Sequence, residues 1–171
     1  MAISVQTRLN ALAPDLARGL RAAVATLVPF YFAARLGRGE LAWMALGGWL
    51  GTLADPSGSR LTRAKTLLAF AIAGALTVVI SETAANDPWT APLALAGIAF
   101  GASLLRALGS TTSTFGTLLA IIAAVGTTHH GRGTLRDGWL FAIGAGLALV
   151  LTSVVWPVWR HFPLRRAIAA V

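Results

Sequence analysis

TLLAFAIAGALTVVIS, residues Thr66–Ser81, contains no charge and is closed by Lys65 on one side and Glu82 on the other. Charge-free stretches of this kind must sit in hydrocarbon, where one helical crossing takes about 20 residues and seldom fewer than about 17. Working outward from it, lone charges divide the chain into five more apolar stretches, the first of which carries Asp15, Arg18 and Arg21 in its opening turns and the other four no charge. They run from Pro14 to Ala34, Leu41 to Ala54, Trp89 to Leu105, Thr114 to Thr128 and Gly138 to Trp156. The reading is therefore all-α: a polytopic six-transmembrane-helix bundle over residues 14–159. Residues 1–13 precede it, as an interfacial helix or a disordered terminus. Residues 160–171 follow it as a basic cytoplasmic tail, in a chain that is either truncated before a soluble domain or a stand-alone half.

Composition agrees. Soluble domains carry about 25% charged residues; this chain of 171 residues carries 12%, with 56% hydrophobic residues and a mean hydropathy of +0.72. A core of this size cannot hide so much apolar surface, so a second apolar solvent is needed. The absence of cysteine excludes disulfides, thiolate metal sites and a cysteine nucleophile. The net charge of +8 comes from arginines spread singly between apolar spans, with no basic stripe interleaved with aromatics, so nucleic acid is not an expected partner.

Those basic residues orient the bundle instead. With the N-terminus inside, ten lie on the inner side (Arg8, Arg18, Arg21, Arg60, Arg63, Lys65, Arg106, Arg160, Arg165, Arg166) and four on the outer (Arg35, Arg38, Arg132, Arg136). This bias places both termini in the cytoplasm. Trp43, Trp89 and Trp139 then begin spans at the outer face, and Trp156 and Trp159 end one at the inner face, as interfacial aromatics do.

Several groupings could carry chemistry. The second span is short and carries Gly47-Gly48; short or glycine-interrupted helices recur where transporters bind substrate, although a tilted neighbour in a thinned bilayer would look the same. Asp55-Pro56-Ser57-Gly58-Ser59-Arg60, with Arg63 and Lys65 beyond it, reads as a tight cytoplasmic turn whose cations attract anions or headgroups, with Arg60 the expected partner of Asp55. Arg106 followed by Ser110, Thr111, Thr112, Ser113 and Thr114 sets one arginine beside a run of hydroxyls at a helix start. Such a place can receive a carboxylate, and is equally the form of an ordinary N-cap with a positive-inside arginine. His129 and His130, with Asp55, are candidates for proton coupling, weighed against the commoner role of loop histidines as bystanders. Gly47 with Gly51, and Gly97 with Gly101, form small-residue pairs that pack helices either within one subunit or between two.

Absences narrow the function. No aspartate or glutamate is expected deep within a span, so the carboxylate of a cation exporter is missing and an anion is the better cargo. There is no nucleotide loop, no nucleophile–base pair and no ligand cluster, so neither a catalytic site, a metal nor a cofactor is expected.

The order of features resembles the membrane domain of the fusaric acid resistance family of aromatic carboxylic acid exporters, distant relatives of plant aluminium-activated malate transporters. The resemblance lies in Leu-Arg-Ala-Ala at 20–23, Leu-Ala-Asp-Pro-Ser-Gly at 53–58, and Arg60 and Arg63 before a glycine-containing third span. It is diffuse and covers residues 15–160. It implies a six-helix unit working in pairs that exports organic anions across a bacterial inner membrane. The expected partners are a small organic anion, membrane lipid, a second copy of the chain, and a periplasmic adaptor or missing cytoplasmic domain. Two other outcomes stay open: a passive anion channel, and a membrane anchor or assembly subunit with no flux of its own.

Overall fold

In a computed structural model, the backbone is described for residues 5–56, 59–129 and 134–152, and side chains for residues 16, 19–56, 59–129 and 135–152. His130, Arg132, Ser57, Gly58 and the tail at 160–171 lie outside the described residues. Six helices and no strand are present among those described: α1 Val5–Leu36, α2 Leu41–Leu53, α3 Arg60–Ala84, α4 Thr90–Arg106, α5 Ser110–Thr128 and α6 Thr134–Val150. α1 does not start at Pro14; its backbone is helical from Val5 onward.

Short connections make successive helices antiparallel. After α1, Gly37 takes φ +63° and the Arg38 N–H returns to the Ala33 carbonyl (3.0 Å), a glycine-dependent helix stop. α3 is started by Ser59, whose hydroxyl accepts from the Thr62 N–H (3.2 Å). Before α4, Asp87 Oδ1 accepts from the Trp89 N–H (3.0 Å).

Neighbours in space are not neighbours in sequence. α6 lies between α2 and α3, while α5 lies between α3 and α4, and α1 covers α2. The centre is a row of rings and branched chains: Phe70 meets Phe115 edge-on at 5.4 Å and Phe141 at 6.0 Å, with Leu50, Leu67, Val78, Leu118 and Ile122 buried around them. Glycines set these distances. Gly74 leaves room for the Phe141 ring, Gly138 rests on Ala75 and Val79, and Gly116 rests on Ala102.

The outside is also apolar. On α3 the inward face carries Leu67, Phe70, Ala71, Gly74 and Val78, while Leu68, Ile72, Leu76 and Ile80 form a stripe at four-residue spacing, each more than half exposed. A helix that is apolar all round belongs in a large core or in lipid. α3 and α5 are long and apolar enough to cross a membrane, and less than half of each is covered by the rest of the chain. α2 and α4 are apolar but shorter; at about 1.5 Å per residue the 13 residues of α2 rise about 20 Å. Hydroxyls inside the helices bond back to their own turns, among them Thr26 to Ala22, Thr77 to Ala73, Ser81 to Thr77 and Thr117 to Ser113. Such bonding lets them enter an apolar medium with their donors satisfied.

Candidate functional site

The alternating helices give the bundle two ends, and each carries a grouping of polar residues. At the first end, where α2 and α4 finish and α3 and α5 begin, a pocket of about 170 Å³ is lined by Leu53, Ala54, Asp55, Pro56, Ser110, Thr111 and Thr114. The α2–α3 loop supplies the apolar wall, and the first turn of α5 supplies the hydroxyls. Gly109 precedes α5 with φ +134°, a conformation that a side chain would strain, and no side chain caps the amides that follow. An uncapped helix start beside free hydroxyls attracts negative charge.

Not all of the hydroxyl run faces the pocket. Thr112 donates to the Gly109 carbonyl (2.9 Å) and Thr114 to that of Ser110 (3.3 Å), so Thr112 behaves as a local turn residue. Ser113 and Thr112 are not among the lining residues, nor is Arg106, which ends α4 exposed.

Asp55 is held by Arg63 and not by Arg60. The Arg63 Nε donates to Asp55 Oδ1 at 2.7 Å, and Nη2 pairs with Oδ2 in a two-pronged contact. Arg60 is the first residue of α3 and points outward, whereas Arg63, one turn further in, is turned back towards the end of α2. Asp55 therefore lines the pocket as one half of an ion pair with Arg63, and neither acts as a free charge. α2 runs through Gly47 and Gly48 as a continuous helix, with Gly47 against the Phe141 carbonyl of α6 and Gly48 against the Ala25 carbonyl of α1. Gly51 likewise packs on Ala145 and Ala148, whereas Gly97 and Gly101 meet nothing within 4 Å.

At the opposite end, α3 and α5 finish and α2 and α6 begin. His129 closes α5 and its ring meets that of buried Trp43 edge-on at 5.9 Å. Arg136 pairs with Glu40 at 2.6 Å across the starts of α6 and α2. Between them lies a grouping that the sequence reading missed. Glu82, one residue beyond the predicted end of its span, is fully buried in the last turns of α3, and Asp137 in the first turn of α6 is nearly so. Both carboxyls sit in terminal turns and not deep within a span, but nothing in the sequence signals that the neighbouring helices bury them. Among the described residues no group of three or more metal-ligating side chains occurs.

Compared with protein-family models, with curated proteins and with solved structures, the chain shows no significant match to any of them. The function is therefore argued from its own residues.

Proposed function

We propose that the chain is a membrane transporter for small organic carboxylates, with its six helices crossing the bilayer and both termini on the cytoplasmic side of a bacterial inner membrane. The observation that carries this reading is the pocket at the start of α5. It combines an apolar wall (Leu53, Ala54, Pro56), the hydroxyl-bearing Ser110, Thr111 and Thr114, uncapped helix amides, and an Asp55 carboxylate whose charge Arg63 offsets. That is the donor set and shape a carboxylate on a small hydrocarbon body requires. The volume of about 170 Å³ limits the cargo to a few heavy atoms or one ring. Arg60 and Arg106, exposed at the same end, supply the positive field that concentrates anions there. The ten-to-four distribution of basic residues makes this the cytoplasmic mouth. A second copy seated on the Gly97–Gly101 face of α4 completes the proposed dimer, because small residues let helix backbones approach closely in lipid.

The test is uptake of radiolabelled benzoate into proteoliposomes by wild type and by the Ser110→Ala, Thr111→Val double variant. Losing two neutral hydrogen bonds of about 1 kcal/mol each weakens apparent affinity by about tenfold or more. Wild-type flux no greater than in empty vesicles removes the transport reading, and equal affinity of the two proteins removes the pocket from it.

A further inference from the structure

We propose that Glu82 and Asp137 form a proton-binding site at the outer end of the bundle, holding one proton between two facing carboxyl groups. Donors and acceptors at the two carboxyls decide this, independently of whether the chain transports anything. Glu82 is 0% exposed, and neither of its carboxylate oxygens has a hydrogen-bond partner. Burying an ionised carboxylate that makes no hydrogen bond, with one indole N–H (Trp43) as its neighbouring donor, is an expensive arrangement for a protein. The group that faces Glu82 is the Asp137 carboxyl. Ionised, both are acceptors only and cannot bond; with one proton between them, one becomes donor and the other acceptor.

The surroundings favour a proton over a metal cation. The polar group that approaches Glu82 from α2 is the indole of Trp43, whose N–H is a donor and would repel a bound cation. The Ser81 hydroxyl is directed away, donating to the Thr77 and Val78 carbonyls. Gly126 of α5 packs directly on Ser81, closing the space on that side.

The charged and titratable groups around the pair can be named element by element. α6 brings Asp137 and Arg136, the end of α5 brings His129, and the start of α2 brings Glu40, already paired with Arg136. α4 brings none from Thr90 to Leu105, and Asp87 before it is exposed and engaged with the Trp89 amide. Asp137 keeps 6% of its surface, so it is the way in and out for the proton that Glu82 holds.

The chain suits a direct measurement because it has only six acidic residues. Glu40 and Asp55 are ion-paired, Asp87 is exposed, and the side chain of Asp15 lies outside the described residues, so the Glu82 and Asp137 variants assign the band. In the infrared spectrum of the purified full-length protein at neutral pH, a protonated carboxylic-acid carbonyl band should appear and shift in heavy water. It should vanish in Glu82→Gln, whose amide replaces the shared proton with a permanent donor, and vanish or move in Asp137→Asn. Absence of the band from wild type overturns the proposal, as does a band unchanged in whichever of the two variants folds. Stabilisation of wild type by sodium chloride over choline chloride, lost in either variant, would overturn it in favour of a cation site. The band's absence from wild type is decisive without any variant, and a failure of benzoate uptake leaves this result unaffected.

Discussion

Gly144→Leu should abolish the folded protein, seen as loss of the monodisperse peak and of a cooperative thermal transition in mild detergent. A side chain at Gly144 would run into the Met44 carbonyl of α2, with the Gly48 amide only 2.9 Å away. The obstruction is backbone on both sides, so no rotamer relieves it. The contact is also part of a series: Gly47 sits against the Phe141 carbonyl and Gly51 against the Ala148 methyl, so α2 and α6 meet through small residues along most of α2. Overpacking costs about 1–3 kcal/mol where side chains can shift and more where backbones must part. A domain of this size has about 5–15 kcal/mol in all. Gly144→Ala is then expected to fold with a lowered transition. Gly101→Leu is the matched control, for nothing lies within 4 Å of Gly101: it should retain the wild-type transition while the proposed dimer falls to monomer mass. An unchanged transition in Gly144→Leu would refute the packing of α2 on α6.

Arg63→Ala should cost about 2 kcal/mol, between the value under about 1 for an exposed ion pair and the 3–5 lost when one partner of a buried pair is removed. The side chains of Arg63 and Asp55 are 21% and 12% exposed, which sets the intermediate figure. Most of the loss comes from Asp55 left charged, without its two-pronged donor, at the end of α2. Arg63→Lys should restore only part of it, because an ammonium cannot reproduce the guanidinium fork. The Arg63→Ala, Asp55→Asn double variant should be more stable than Arg63→Ala alone, giving a coupling energy by a double-mutant cycle from equilibrium unfolding. A single-variant cost below about 0.5 kcal/mol would mean that the pair is ornamental.

These two sites show what could be read in the chain and what could not. The third span was legible because sixteen consecutive positions lack charge, but hydropathy marks where hydrocarbon begins and not where a helix does. α3 accordingly starts six residues earlier, at Arg60 after the Ser59 cap, and carries Arg60, Arg63 and Lys65 on its first turns. The same limit hid Glu82. Lying one residue past the charge-free window, it read as a boundary charge, and only the covering helices α5, α6 and α2 make it buried. The hydroxyl run at 110–114 was legible as a helix start, and the structure sorts it into pocket-lining Ser110, Thr111 and Thr114 and the locally bonded Thr112. The choice between Arg60 and Arg63 as the partner of Asp55 depends on an offset of about 60° around the helix and most of one turn along it, which sequence spacing does not resolve. Least legible was the neighbour order. The insertion of α6 between α2 and α3 is fixed by pairs such as Gly74 with Phe141 and Gly144 with Met44, remote in sequence and recognisable only once folded.

The central claim is that the six helices cross a bilayer with alternating direction, so that the pocket and the carboxyl pair face opposite compartments. The chain lacks cysteine, so single introduced thiols report without background. Gly39→Cys and Asp87→Cys should react with a membrane-impermeant maleimide on intact cells, and Ser59→Cys and Leu108→Cys only after permeabilisation. Equal labelling of all four in intact cells, or recovery of the protein without detergent in the soluble fraction, would contradict the account.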